Sequence, residues 1–486
     1  REGAYMRFFK FKSFLIIPFL IGILFLLNPT NVKAEETSAT QAKSLTFTIN
    51  NSSTDTGLVT DNSYTSAVKY YGGTSVNVTS ESEMYGIYIK WYHNPSTPYT
   101  ISYGDTVITC GNEGFLHEYI QLDTPTTTLN INLSEDIKIC EVEVFSNGTL
   151  PSDVQVWNPV SIHPDILVFS THADDEILFL GGVLATYGAR DDITLQVAYM
   201  CDFYLTEPYR EHEELDGLWE IGLNIYPVKG SFYDYYCGNY DAALSYYDYD
   251  EVCSYVTSTI RKFKPLIVVT QDFNGEYGHG AHQLLVKCVA DAVDNSNDAS
   301  FYPESANEYG TYDVPKTYMH LYSENAITLD LRTNLSYLGN RSALQASKDA
   351  YLRHVSQQYC WFYVDDEYEY SCAKFGLYRS LVGNDTTNDI LCNITTYEEQ
   401  AAIDKVNADA NALSNSAYLA DSMSMQISTY TDELTEYKTN TITPKQVIVT
   451  FIAIIIISIV IISQAMRHKK EYIKKVEQYK KENDIK

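Results

Sequence analysis

Apolar and polar residues alternate with a period of two through residues 44–159. Leu45, Phe47 and Ile49 alternate, as do Ile87 and Ile89, then Leu129, Ile131 and Leu133, then Val142 and Val144. Such alternation marks strands with one buried face. Gly72-Gly73, Asn94-Pro95 and Asn147-Gly148 punctuate them as turns. The stretch therefore predicts an all-β sandwich or jelly roll over 38–159. From Asp165 the pattern changes. Ile166-Leu-Val-Phe-Ser170 is apolar without interruption, as a parallel strand buried on both faces must be. The following pattern predicts a helix over about Glu176–Tyr187, a strand over Ile193–Met200, helices around Arg210–Gly222 and Val252–Lys264, and a strand over Leu266–Thr270. Strands alternating with helices predict an α/β, mostly parallel sheet over 163–395, with ligands bound at the carboxyl ends of its strands.

Residues 396–444 contain no glycine and carry a heptad-like series, Ile403, Val406, Ala410, Leu413, Ala417, Ala420, Ile427 and Leu434. This predicts a helical stalk through which copies of the chain can pair, with a polar spacer as the alternative. Both ends carry membrane signals. Arg7, Lys10 and Lys12 precede the apolar run Phe14–Leu27, and Val32-Lys33-Ala34 closes it with small residues, the layout of a secretory signal peptide over 1–34. Val447–Met466 bears no charge, and twenty residues at about 1.5 Å each span about 30 Å. Arg467, Lys469, Lys470, Lys474 and Lys475 follow at once. A transmembrane helix at 445–466 with a basic cytoplasmic tail at 467–486 is expected, everything before it lying outside or in a lumen. The expected location is the cell membrane, crossed once.

Lys+Arg 34 against Asp+Glu 63 leave a net charge of −29 with no basic domain, which argues against nucleic acid as a partner. The 42 tyrosines suit either sugar stacking or a tyrosine-rich surface. Seven of them crowd among acids in Ser231–Glu251, which reads as a solvated loop or a stacking wall. The nine cysteines contain no C-x-x-C spacing, so a cysteine zinc site is not expected; Cys110 and Cys140 fall in one β module and could pair.

The chemistry concentrates at two strand ends. Thr171-His-Ala-Asp-Asp-Glu176 follows the first parallel strand, and Gly275-Glu-Tyr-Gly-His-Gly-Ala-His282 follows the strand ending at Thr270. Three acids beside one histidine repel one another unless a cation compensates them. Two histidines and one carboxylate with an open position are the stoichiometry of a catalytic zinc site, with a further carboxylate left to act as base. A lone histidine is more often a satisfied polar residue. Three histidines and an acid cluster at the strand ends of one sheet reverse that expectation.

On these motifs the region of about 165–395 resembles the GlcNAc-phosphatidylinositol de-N-acetylase (PIG-L, LmbE-like) family. His172-Ala-Asp-Asp-Glu176 resembles its H-P-D-D-E, Gly278-His-Gly-Ala-His282 its G-H-x-x-H, and Arg210-x-x-Glu213 with Ile221-Gly222 its R-x-x-E helix. The resemblance implies a Rossmann-like fold that hydrolyses the N-acetyl group of an N-acetylated amino sugar or glycan. It implies Zn2+, or another divalent cation, held by His172, Asp175 and His282. Asp174 is implied as general base, and His279 as a protonated group facing the developing oxyanion. Tyr277 would polarise the carbonyl and Arg210 would touch the sugar. Glu176 is expected to hold a backbone group or ligand in place. Ala173 replaces the motif's proline. Ala281 replaces an acid often found before the last histidine, so the partner that would tune a neighbouring histidine is missing or comes from elsewhere. The strands around Leu58–Thr65, Ile87–Trp91 and Val154–Trp157 resemble a discoidin-type, galactose-binding-like module, which implies glycan binding. The alternative from another class is a surface glycan-binding protein or adhesin with an inactive deacetylase-like domain.

Overall fold

The computed structural model describes residues 40–50 and 52–436. The expected signal peptide (1–34), transmembrane helix (445–466) and basic tail (467–486) lie outside these residues. Among the described residues no helix is long and apolar enough to cross a membrane. The chain divides into two units at Val156/Trp157.

The first unit carries β1 (Phe47–Ile49), a helical turn α1 (Ser53–Leu58), β2 (Val68–Tyr70), β3 (Ser75–Trp91), β4 (Tyr99–Tyr103), β5 (Thr106–Cys110), β6 (His117–Asn132) and β7 (Ile137–Phe145). All pairings are antiparallel. The strands are hydrogen-bonded in the order β2-β7-β3-β6-β4-β5 with β1 on β3, joined through β3 and β6, which are 17 and 16 residues long. Their pairing slips between Thr79 and Met84 and again before Gly86, and such bulges bend a strand. The sheet can then curve around its apolar face, where Val76, Val78, Ile87, Ile89, Leu129 and Ile131 are fully buried. Cys110 and Cys140, candidates for pairing, do not pair; all nine cysteines are free. Their sulfurs face the carbonyls of Ile108 and Tyr64 instead.

The second unit is the α/β domain. Its strands are β8 (Ile166–Ser170), β9 (Leu195–Asp202), β10 (Val228–Tyr233), β11 (Ile267–Thr270), β12 (Lys316–His320), β13 (Ala326–Thr328), the small ladder β14 (Asn334–Leu335) with β15 (Arg341–Ser342), and β16 (Lys374–Ser380). The main sheet runs β10-β9-β8-β11-β12-β16-β13. Its first five strands are parallel, and β16 is antiparallel to both neighbours. The helices are α2 (Asp175–Leu178), α3 (Gly181–Tyr187), α4 (Tyr209–Glu220), α5 (Tyr240–Ala243), α6 (Tyr249–Phe263), α7 (Gly280–Asn295), α8 (Pro303–Tyr309), α9 (Ala343–Tyr351) and α10 (Tyr397–Glu436). Leu167 and Phe169 of β8 and Val268 of β11 share one core with Val252, Val256 and Ile260 of α6 and Leu284, Leu285 and Val289 of α7. Alternation turns Ile166 and Val168 to the opposite face, which is equally buried, so the uninterrupted apolar run has its physical reason.

The helix expected over Glu176–Tyr187 is broken into α2 and α3. The tyrosine-rich run Ser231–Glu251 is not a loop: it completes β10, forms α5 and starts α6. Asp248 fixes that start, its Oδ1 accepting from the amides of Asp250 and Glu251 at 2.8 and 3.2 Å, while Arg261 and Lys262 sit in the last turn of α6, where they oppose the helix dipole. The 40-residue α10 is moored at its first residue: the Tyr397 amide donates to Asp165 Oδ1 at 2.8 Å and its hydroxyl to the Lys264 carbonyl at 2.6 Å.

Strand β8 has β9 on one side and β11 on the other, so the chain reverses its winding direction there. Open α/β sheets leave a crevice at that point, outside the carboxyl ends of the strands.

Candidate active site and metal centre

Each of the five parallel strands delivers a side chain to this crevice. His172, Asp174 and Asp175 follow β8, Arg210 opens the helix after β9, Asp234 follows β10, His279 and His282 follow β11, and His320 ends β12. The loops after β8 and β11 are tied together: Gln271 Oε1 accepts from the Thr171 amide and hydroxyl at 2.9 and 2.5 Å.

His172 Nδ1, Asp175 Oδ2 and His282 Nε2 converge. The separations are 2.8 Å from His172 to Asp175, 3.0 Å from His282 to Asp175 and 3.3 Å between the imidazoles. On their far sides both rings face carboxylates. His282 Nδ1 lies 2.6 Å from Glu276 Oε2, and His172 Nε2 lies 3.3 Å from Asp234 Oδ1. A carboxylate behind an imidazole holds the proton on that nitrogen and leaves the other lone pair forward. Three electron-rich atoms then face one another across about 3 Å, and something positive has to lie between them. The side-chain environment expresses the same demand. Burial works against charge on His172, but Asp234 and Asp175 hold it well above the usual histidine range. His282, also against burial, is lifted to about 9 by Asp175 and Glu276. Burial alone would raise Asp175, yet the His282 and His172 imidazoles keep it well below the ordinary carboxylate range.

A divalent cation answers that demand. Zinc held tetrahedrally at about 2.0–2.1 Å sets its donors about 3.3 Å apart, close to the observed triangle, and the two-nitrogen, one-oxygen set is the donor chemistry of a hydrolytic site. Ring nitrogens of His172, His279 and His282 also lie within 4.8 Å of one another, which puts His279 beside the same position.

The remaining residues surround this centre. Asp174 has φ 116°, a conformation that costs a non-glycine residue about 1–3 kcal/mol and persists only where neighbours enforce it. Glu176 enforces it: its Oε2 accepts from the Asp174 amide at 2.7 Å. Burial pushes the Asp174 carboxyl up to about 7, although Arg210 beside it pulls downward. Burial likewise lifts Glu176 to about 8. Arg210, expected to touch the sugar, spends its terminal nitrogens on the protein. Nη2 donates to the Ala173 carbonyl at 2.5 Å and lies 3.3 Å from Asp174 Oδ1, and Nη1 reaches Asp234 Oδ2 at 3.2 Å. It braces two acids of the site.

Burial, with the His172 and His282 imidazoles alongside, pushes His279 down to about 2, which favours the neutral ring. Its Nε2 accepts a long bond from the Cys237 amide at 3.5 Å. The proton therefore sits on Nδ1, which has no partner among the described residues and remains a donor for a substrate oxygen. Tyr277 packs 5.6 Å from both His279 and His282, ring centre to ring centre. Burial holds its phenol well above the usual range, so it too is a donor.

Sequence reasoning missed Asp234 and Glu276. Glu276 supplies the acid that Ala281 lacks, from six residues before His282 rather than one. It adopts φ 51°, and its Oε1 also accepts from the Asp272 amide at 2.7 Å and meets His320 Nδ1 at 3.1 Å. Arg379 of β16 binds Asp313 and the Val314 carbonyl.

The α/β unit is similar in sequence to known proteins. Residues 167–293 match the PIG-L family, GlcNAc-PI de-N-acetylase. The chain is 28% identical over 102 residues to the 1D-myo-inositol 2-acetamido-2-deoxy-alpha-D-glucopyranoside deacetylase of Geodermatophilus obscurus, a match covering 21% of this chain and 33% of that one. It is 38% identical over 72 residues to the mycothiol S-conjugate amidase of Streptomyces coelicolor, covering 15% and 24%. The chain thus spans a third and a quarter of the length of these relatives. Among solved structures it is similar to the N,N'-diacetylchitobiose deacetylase of Pyrococcus horikoshii, at 16% identity and a TM-score of 0.32, over 40% of this chain and 70% of that one. The chain carries a PIG-L (GlcNAc-PI de-N-acetylase) family domain at residues 167–293.

Proposed function

We propose that the protein is a metal-dependent de-N-acetylase that hydrolyses the N-acetyl group of an N-acetylated amino sugar or glycan, with zinc as the cation. One observation carries the reading: His172 Nδ1, Asp175 Oδ2 and His282 Nε2 face one another at 2.8–3.3 Å, with the Asp174 carboxylate in the same cleft. Zinc bound by these three would supply a polarised acyl oxygen and an acidified water near neutral pH. Asp174, poised near neutrality, takes the proton of the attacking water as its oxygen bonds to the acyl carbon. Tyr277 and His279 Nδ1 donate hydrogen bonds to the carbonyl oxygen as it gains charge. Asp174 then returns the proton to the nitrogen as the C–N bond breaks, releasing acetate and a free amine. Arg210 and Glu176 keep Asp174 in place throughout, and the Asp234 and Glu276 carboxylates keep both imidazoles oriented.

The proposal also sets this chemistry outside the membrane, on an ectodomain tethered by the apolar stretch Val447–Met466 and exported by the leader at 1–34. What supports that part is the charge pattern at both ends of the sequence. The all-β unit is proposed to help hold the glycan, and the heptad pattern of α10 to pair copies of the chain. The reading is tested by acetate release from N-acetylated sugars and glycans. Release that a chelator abolishes and zinc restores supports it. So does an Asp174→Ala variant that is inactive yet keeps its metal. A chain that takes up no metal when equilibrated with zinc and releases no acetate from any such substrate refutes it.

A further inference from the structure

Removing one acetyl group requires contact with one sugar ring, but the cleft is built for more. It has a volume of about 630 Å3, and exposed aromatic rings line it. The ring of Tyr236, 79% exposed, lies 5.3 Å from that of His279. Tyr277 lies 4.4 Å from Phe362, and Phe362 lies 3.9 Å from Trp361, which is 63% exposed. Tyr359, on the same segment, is 83% exposed. Large rings clustered in water at the mouth of a cleft signal something that covers them.

The platform is held rather than loose. Glu213 of α4 accepts from the Ser356 amide at 2.8 Å and its hydroxyl at 2.6 Å, fixing the start of the segment that carries Tyr359 and Trp361. That segment lies outside the residues matched to the family. Glu207 and Asp234 line the same cleft. Flat apolar faces edged by carboxylates match a pyranose, whose C–H face is apolar and whose rim is hydroxyl donors. The same acids repel polyanions.

We propose that the cleft binds an uncharged chain of several N-acetylated amino sugars, with Tyr236 and Trp361 stacking on rings to either side of the one being deacetylated. This rests on the deacetylase reading and adds that the substrate is an oligosaccharide or polymer. The test compares acetate release by the full chain from N-acetylglucosamine and from its β-1,4-linked tetramer. The tetramer is expected to have a kcat/KM about tenfold or more above the monomer. Trp361→Ala should cut the tetramer-to-monomer ratio about tenfold, and Trp361→Phe should restore most of it. Equal rates on both substrates, or an equal loss on both in Trp361→Ala, overturn the proposal. Calorimetric titration of the tetramer into the Asp174→Ala variant separates the two readings. Binding that Trp361→Ala weakens supports the platform even if no acetate is ever released, a result that would count against the deacetylase reading alone. No tetramer binding overturns the platform.

Discussion

In the proposed mechanism Asp174 carries the reaction's proton, and its surroundings set the pH at which it can. Burial lifts its carboxyl to about 7 while the Arg210 guanidinium, 3.3 Å away, lowers it. A general base works ionised, so kcat/KM should fall as pH drops through this pKa. Arg210→Gln removes the lowering charge and should move that acid limb to higher pH, read from the pH profile; an unmoved limb would mean Asp174 is not the group titrating. Asp174→Asn should lose about 10²–10⁴-fold in kcat. Glu276→Gln should weaken metal binding about 10–100-fold, measured by competition with a chromogenic chelator, because it weakens the acceptor that orients His282. The seven residues His172, Asp174, Asp175, Arg210, Tyr277, His279 and His282 were legible in the sequence because local motifs hold them at fixed spacing. Asp234 and Glu276 were not. Asp234 is hidden in a run of tyrosines and acids, and it meets His172 only through the pairing of β10 on β9 and β9 on β8. The protonation of His279 depends on burial and on two neighbouring imidazoles, neither of which a motif reports.

Elements bring these residues together, and α7 shows how closely. It begins at Gly280, whose amide donates to the Cys237 carbonyl at 2.7 Å. A Cβ there would sit 1.9 Å from the Asn239 carbonyl oxygen, so only glycine permits the approach. Gly280→Ala should cost about 1–3 kcal/mol of stability, visible as a lowered Tm, and should weaken metal binding because His279 and His282 flank the displaced turn. Unchanged Tm and metal affinity would mean that this packing does not fix the site. The parallel strands and most helices could be read from apolar periodicity. Boundaries moved where capping decided them, as Asp248 does for α6. The split between α2 and α3 was unreadable because the apolar pattern runs straight across Phe179 and Leu180. The strand order of the first unit was likewise hidden, since period-two alternation gives strands but not the bulges in the pairing of β3 with β6.

At the scale of the whole molecule, the chain divides into an all-β unit and an α/β unit that includes the long helix α10, and the net charge of −29 disfavours polyanions as partners. If Val447–Met466 anchors the chain, it should stay with the membrane fraction through an alkaline carbonate wash; release into the wash would contradict the anchor. The central claim concerns the cation that His172, Asp175 and His282 share. Its most direct test is elemental analysis of the purified full chain after equilibration with zinc, with acetate release followed on the same samples. The account predicts one equivalent of metal in the native chain, its loss together with activity in His172→Ala, Asp175→Ala and His282→Ala, and its retention in the inactive Asp174→Ala. Metal still bound at full stoichiometry after those three ligand substitutions, or acetate released by a chain stripped of metal, would contradict it.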